Sequence, residues 1–500
     1  MSSAASRLAP VVLASLAAAC GGSAPRPLIA PAARDAAPKA PALPVPGGGG
    51  PCRLEPAGAP PVAAPAAAEP LAAEWAYRAA PGRSIDFAGV QDGDGNLYWI
   101  EVWPQEDGRP AFELVSASRD GAVRWRAPAA HDAWRLLFVS GGLLVVGGAL
   151  RPEQSWPYWE VLDAHDAATG ALAWSADLSE AIRSLTGAEA ARPYVGTRAP
   201  AVAAGTIHVP ASAVDASGST RPGLLRLDLA TGALREVRGL AGPGSIWMPS
   251  DAAALADGRA FLSARPGEGE SALLGFADVG APEVEVERAE ADHLWLVGAS
   301  DRHLLEAGAR EGDPAWSGPF LQWSGLEGTP LGRIANASGE PLAAGADLWL
   351  VAGARVSRFE LAGCAVAWDR TVARAPAGGA ILATAAIRTA GDGILLGVQE
   401  VALAAGGGPL EAVGPARAVE LGPDGAERRR GLLPEGFLLG RAATLHAGRW
   451  FVSGARRDAA GQAVAELAAF DLRGVEPASS GWVTSDGTPS RERRALATAP

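Results

Sequence analysis

Ala164 to Trp174 reads AHDAATGALAW, and the fold turns on how this stretch is understood. At Thr169-Gly170 the glycine supplies the positive φ that a tight connection between two strands requires, because it has no Cβ to clash there. Asp166 lies just upstream, where its carboxylate is placed to accept hydrogen bonds from the backbone N–H groups of the turn. Ala171 to Trp174 then runs outward as a second strand carrying a large ring. An indole packed in this way against a neighbouring unit contributes roughly 4–6 kcal/mol gross, from ~150–250 Å² removed from water.

Weakened copies of the turn fall at Asp120-Gly121, Thr231-Gly232, Gly280, Gly328, Cys364 in the place of glycine, Asp424-Gly425 and Gly474. Together with Gly170 they are separated by 49, 62, 48, 48, 36, 61 and 49 residues, a spacing that suits four short strands and their loops. A ring follows four residues after the turn marker at Trp125, Trp174 and Trp368, whereas Glu236 and Arg429 occupy that position in two other units. The expectation is an all-β, eight-bladed β-propeller of four-stranded antiparallel blades, with Trp125, Trp174 and Trp368 as blade-docking residues. Seven blades stay open, because the 36-residue step fits a truncated unit.

On these residues the chain resembles the PQQ-like, or quinoprotein alcohol dehydrogenase-like, β-propellers, whose repeat reads Ala-x-Asp-x-x-x-Gly-x-x-x-Trp. Ala164, Asp166, Gly170 and Trp174 match all four positions; Gly121 with Trp125 and Asp228 with Gly232 match two each. The resemblance covers Leu71 to Trp482 and implies that each Trp docks on the next blade. Many members of that superfamily are not enzymes, and one branch is a lipoprotein that scaffolds outer-membrane barrel assembly. The dehydrogenases use an adjacent-cysteine disulfide and a Ca²⁺ site with a catalytic Asp. This chain has no adjacent cysteines and no Cys-x-x-Cys-His.

Composition agrees with short, punctuated strands: the 500 residues include 63 Gly, 40 Pro and 16 Trp. Only Ala176 to Ala191 has clear helix-forming content. Ahead of the propeller, Met1 to Ala19 carries one positive charge, Arg7, and an apolar run too short to span a bilayer. Ala17-Ala18-Ala19-Cys20 resembles a bacterial lipoprotein signal, with Cys20 the lipidated residue. Residues 20–70 read as a disordered Pro/Ala/Gly tether, since Gly21 to Pro70 holds thirteen of the prolines and few large apolar side chains. Residues 71–484 form the propeller and 485–500 a disordered tail. Leu71 to Ala79 is one candidate for the outer strand of the last blade, and Ser480 to Thr484 is the other.

If Cys20 carries lipid, Cys52 and Cys364 remain, and an oxidising compartment permits a disulfide between them. The alternative is a small buried Cys364 and a free Cys52. Trp156, Tyr158 and Trp159 around Pro157 are candidate binding aromatics, with core packing as the competing reading; Trp99, Trp103, Trp316 and Trp323 raise the same question. The formal charge of −12, with Lys39 as the single lysine and no basic-aromatic stripe, argues against nucleic acid. Arg428-Arg429-Arg430 reads as solvated surface.

No catalytic residues and no metal site are expected. The six histidines are scattered, His293, Asp301 and His303 lack zinc-site spacing, and Asp92-Gly93-Asp94-Gly95-Asn96 lacks the later ligands of a calcium loop. There is no Gly-x-Ser-x-Gly elbow. The functional expectation is an exported, lipid-anchored, non-catalytic binding or assembly scaffold of the bacterial cell envelope. It is expected to be monomeric, to need no cofactor, and to have an envelope protein or carbohydrate as partner. The alternatives are a diverged PQQ- and Ca²⁺-dependent dehydrogenase or a hydrolase with its site in the central funnel, and a purely structural surface protein.

Overall fold

The computed structural model describes residues 52–54 and 60–479, apart from 150–159, 188–191, 195–199, 215–219, 240–252, 255–259, 268–269, 277–283, 289–291, 301, 311–319, 327–328, 336, 338, 378 and 403–410. Cys20, Trp156, Tyr158, Trp159, Trp316, Gly280, Gly328 and the candidate strand Ser480 to Thr484 therefore lie outside the described residues. So do the leader and the tail.

The chain folds as an all-β propeller with four-stranded antiparallel blades. Among the described residues the strands form eight sheets in chain order. Sheet 1 runs from the inner strand Ser84–Asp86 to the outer strand Val123–Pro128, and sheet 2 from Asp132–Ser140 to Leu172–Asp177. Sheet 3 ends on Leu234–Gly239, sheet 4 on Val284–Arg288, sheet 5 on Pro330–Ile334, sheet 6 on Ala365–Thr371 and sheet 7 on Glu427–Leu432. Sheet 8 consists of Phe437–His446, Arg449–Arg457 and Ala463–Asp471, and its outer strand is Ala73–Arg78 from the other end of the chain. The two ends are thus tied in one sheet, which closes the ring.

The core lies between the sheets. Tyr98, Leu114 and Trp125 of sheet 1 pack with Leu136 and Leu144 of sheet 2, and Phe138 and Leu162 of sheet 2 with Ile207 and Leu225 of sheet 3. Ala201 and Ala203 meet Ala260 of sheet 4, whose Phe261 joins Leu304 and Trp323 of sheet 5 and Trp349 of sheet 6. Leu395 of sheet 7 packs with Trp450 and Phe470 of sheet 8, and Phe451 and Leu467 of sheet 8 with Trp99 of sheet 1. Each sheet therefore buries both faces, which is why the central strands read as short continuous apolar runs.

One backbone irregularity repeats. Between the third and outer strands the register shifts so that one residue of the outer strand has no partner: Arg124, Ala173, Arg235, Ala367, Arg428 and, in sheet 8, Glu74. The residue that follows is Trp125, Trp174, Glu236, Trp368, Arg429 or Trp75. A bulge re-aims the side chain beside it, and here it turns that position toward the neighbouring sheet.

The tether boundary is corrected. Residues 52–70 were expected to be disordered, yet Cys52–Leu54 pairs in parallel with the outer strand of sheet 5, Val62 bridges Thr371 of sheet 6, and Ala68–Pro70 pairs in parallel with sheet 7. Composition missed this because the segment needs no core of its own: it borrows the backbone donors and acceptors of edges already formed. Ala63 N–H donates to Thr371 O at 2.9 Å, Thr371 N–H to Pro61 O at 3.1 Å, and Leu71 N–H to Leu432 O at 2.7 Å. Proline is tolerated here because an edge strand needs only one side of its backbone paired. Leu54 and Ala63 are buried, and Gly431 lacks a side chain where Leu71 lies. The expected helix shrinks to Ser179–Ser184.

Candidate functional site: the seams and the outer rim

Four of the seams between sheets share one clasp. Trp125 of sheet 1 lies over Gly170 of sheet 2 so closely that a Cβ on the glycine would stand 2.6 Å from the ring. Its Nε1–H donates to Ala167 O at 3.0 Å. Trp174 covers Gly232 and donates to Leu229 O at 3.1 Å; Trp368 covers Gly425 and donates to Pro423 O at 2.7 Å. The fourth member is Trp75, on the Leu71–Ala79 candidate that closes the last sheet; it covers Gly121 and donates to Arg119 O at 2.9 Å. The turn glycine is doubly required, by its positive φ of 78° at Gly170 and by the ring above it. Asp166 holds that turn by accepting from Ala168 N–H, Thr169 N–H and the Thr169 hydroxyl, which keep its carboxyl below the usual range.

Two seams use other chemistry. Arg429 of sheet 7 takes the indole position and donates to Arg473 O, beside Gly474, at 3.0 Å. Arg428-Arg429-Arg430 is therefore not simply solvated surface, since Arg430 also holds the buried Glu427 at 2.6 and 2.8 Å. In sheet 5 the indole position is Gly332, and Cys52 of the added strand pairs with it. A disulfide joins Cys52 to Cys364, the residue standing in the turn-glycine position of sheet 6, with a Cα–Cα separation of 5.8 Å. The covalent bond thus crosses the seam where the indole clasp is missing.

The closing seam between sheets 8 and 1 carries a charged network that sequence reading did not find. Arg83 bridges Glu101 and Glu113 at 2.9 Å each, Arg126 holds Glu113 at 2.6 Å, and the Tyr77 hydroxyl donates to Glu101. Burial pushes the Glu101 carboxyl up, but donors from Tyr77, Arg83 and Arg126 outweigh it and hold the group below its ordinary value. Burial and the adjacent Glu101 push the Tyr77 phenol up to about 12. The Arg83 guanidinium stacks 3.8 Å over Trp103. With every charge partnered, the network is a clasp and offers no free acid or base.

The other candidates are dispersed. Trp99 and Trp323 are buried in the core. The Asp92 carboxylate is saturated by Asp94 N–H, Asn96 N–H, the Asn96 amide and the Tyr98 hydroxyl, so the Asp92–Asn96 loop is a hydrogen-bonded turn. Among the described residues no three His, Cys, Asp or Glu side chains converge to hold a metal. Cys364 is engaged in the disulfide with Cys52 at an outer turn, and no two cysteines are adjacent in the sequence. Among the same residues no helix is long and apolar enough to cross a membrane.

The fold and its seams define a β-propeller. No known family profile and no curated protein matches the sequence. Among solved structures the chain is similar to a quinohemoprotein alcohol dehydrogenase from Comamonas testosteroni, at 11% identity and a TM-score of 0.46, covering 81% of this chain and 77% of that one. It is also similar to the β-propeller domain of the Trilobed protease from Pyrococcus furiosus, at 9% identity and a TM-score of 0.36, covering 69% and 97%. A Synechocystis apocarotenoid oxygenase mutant gives 12% identity and a TM-score of 0.34, covering 79% and 93%. The propeller assignment rests on the sheet topology of this chain.

Proposed function

We propose that this protein is an exported, lipid-anchored, eight-bladed propeller that serves as a non-catalytic binding or assembly scaffold in the bacterial cell envelope. The observation that carries export is the Cys52–Cys364 disulfide, because such bonds persist in oxidising compartments. The eight successive sheets support the blade number, and the lipobox-like Ala17-Ala18-Ala19-Cys20 supports the anchor. The clasped seams support a rigid platform for an envelope protein or carbohydrate in place of a reaction centre.

Mass spectrometry of the protein recovered from a bacterial host tests the anchor. The expected product begins at Cys20 with a thioether-linked diacylglycerol and partitions with membranes, and Cys20→Ser yields an unlipidated, soluble chain. A wild-type product cleaved elsewhere and free of lipid would overturn the reading. Incubation with PQQ and Ca²⁺ is expected to give no cofactor absorbance and no dye reduction; an active, PQQ-loaded protein would establish the dehydrogenase instead.

A further inference from the structure

The ring closes through Ala73–Arg78, and the chain ahead of that strand is added to it from outside as a strap. The strap meets three outer strands through short contacts: Cys52–Leu54 on sheet 5, the single bridge of Val62 to Thr371 on sheet 6, and Ala68–Pro70 on sheet 7. Ala66 N–H also donates to Glu427 Oε1 at 3.2 Å. Among its described residues Leu54 and Ala63 are buried, and the others are half-buried or exposed. Backbone ordering opposes attachment at every residue of such a segment, and two buried side chains set little against it. Beyond Leu71 the anchoring is of another kind. Ala73–Arg78 is laddered along sheet 8, with Trp75 seated on Gly121 and the Tyr77 hydroxyl bonded to Glu101. The strap can therefore leave without opening the ring.

One covalent bond secures it. Cys52 is joined to Cys364, and both cysteines are half-buried at the rim. A disulfide at such a site is open to a thiolate, unlike one sealed in a core. Cys364 stands at a turn position that Gly121, Gly170, Gly232 and Gly425 fill in other sheets, and it keeps their left-handed backbone, with φ of 50°. That conformation is disfavoured for a residue with a Cβ, so what this side chain adds over glycine is its bond to the strap.

We propose that the Cys52–Cys364 disulfide is a redox latch: a dithiol reductant opens it, and the strap then leaves the outer strands of sheets 5, 6 and 7 while the ring stays closed. One thiolate of the reductant attacks a sulfur of the disulfide, forming a mixed disulfide and expelling the other cysteine as a thiolate. The second thiol of the reductant resolves the mixed bond, so the reductant ends as a disulfide and its two hydrogens end on Cys52 and Cys364. Release uncovers the backbone of residues 332–334, 371 and 430–432, to which the strap is paired. It also adds residues 52–70 to the free chain ahead of the propeller, up to about 60 Å when extended. The point at which that chain leaves the propeller thereby moves from sheet 5 to the junction of sheets 7 and 8, with or without lipid on Cys20. This goes beyond export, which needs the bond only to form.

The intact protein is treated with dithiothreitol under native conditions, free thiols are counted by alkylation and mass spectrometry, and hydrogen exchange is resolved to single amides. The reporters are Ala63 and Ala66 on the strap, and Thr371 and Ala335 on the propeller, whose N–H groups donate to Pro61 O and Leu54 O. We expect both Cys52 and Cys364 to be alkylated, at least tenfold faster exchange at these four amides, unchanged exchange at 73–78, 123–128 and 463–471, and recovery on reoxidation. Cys364→Gly, which restores the turn glycine, should exchange like the reduced protein without any reductant. Unchanged exchange at the four amides with both cysteines alkylated would overturn the proposal, because the strap would then hold without its bond. So would cysteines that stay unreacted in the folded protein under excess dithiol. Loss of protection across 73–78 and 463–471 on reduction would also overturn it, since the bond would then be a staple of the whole ring. None of these outcomes bears on the mass of the N-terminus, so the anchor reading stands or falls separately.

Discussion

The seam between sheets 1 and 2 and the seam between sheets 5 and 6 solve the same problem with different bonds. In the first, a ring from one sheet caps a glycine turn on the next, and its N–H satisfies a turn carbonyl. In the second, both partners of that clasp are gone: Gly332 has no ring to offer and Cys364 is not a glycine. The chain restores the link with Cys52, delivered by a segment that adds to the edge of sheet 5. The comparison teaches that indole, guanidinium and disulfide are alternative ways to bond two sheets across the outer seam.

The largest effect is expected where the clasp is covalent. The cysteines are separated by 312 residues, so chain entropy alone makes the bond worth about 5 kcal/mol against the reduced unfolded chain. Reduction by a dithiol, or Cys364→Ala, should lower the urea midpoint accordingly and speed hydrogen exchange at 52–54 and 330–334. If exchange there is unchanged, the added strand holds without the bond and the two seams are not equivalent.

Trp125→Ala comes next, with an expected loss of about 3–4 kcal/mol, since a buried ring and its hydrogen bond disappear together. Gly170→Ala should cost less, about 2 kcal/mol, from the left-handed φ and the ring in the way of a Cβ. A double variant that costs little more than Trp125→Ala alone would confirm that ring and glycine form one clasp, because coupled neighbours are not additive.

These seams also explain what sequence could and could not reveal. The indole clasp was legible because its parts sit on one repeat at a fixed offset: Gly170 with Trp174, Gly121 with Trp125. The pairing of Trp125 with Gly170 was legible only through the family resemblance, since it joins adjacent repeats. The edge pairing of Cys52–Leu54, Val62 and Ala68–Pro70 was invisible, because backbone hydrogen bonds to a preformed edge leave no side-chain periodicity. Leu71 to Ala79 was legible as a candidate outer strand of the last blade, but the target of its Trp75, Gly121, depends on the ring being closed. The network at Glu101 escaped for a related reason: Tyr77, Arg83, Glu113 and Arg126 meet only where the two ends of the chain come together.

The seam leaving sheet 3 has neither ring nor disulfide at the indole position, and a buried histidine, His208, makes this sheet sensitive to pH. Glu236 holds the buried Arg226 at 3.0 Å, and Arg226 pairs across strands with His208. Burial, with Arg226 nearby, pushes His208 from 6.5 down to about 3. The folded state thus keeps His208 uncharged while the unfolded chain takes up a proton below pH 6.5. Stability is full above that value and is lost as pH falls toward 3, by about 2 kcal/mol between pH 7 and pH 5. His165, also lowered by burial, shares this window, so His208→Leu should flatten the pH dependence of the urea midpoint without abolishing it. Glu101, held below its ordinary value, contributes stability that is lost only at still lower pH. An unchanged slope in His208→Leu would mean that the histidine is solvated in the folded chain.

The smallest effect belongs to the seam between sheets 7 and 8, where Arg429 replaces the ring at an exposed site. Its hydrogen bond to Arg473 O competes with water, so Arg429→Ala should cost no more than about 1 kcal/mol. Arg429→Trp is the sharper experiment. A Cβ on Gly474 would meet nothing within 4 Å, so the turn has room for an indole above it, as Gly121 has for Trp75. If the bulged position is a true indole socket, the tryptophan should match or exceed the arginine by about 1 kcal/mol in the urea midpoint, through the area it removes from water. A tryptophan variant less stable than the alanine one would show that this socket is shaped for a guanidinium, and that the clasps are tailored seam by seam.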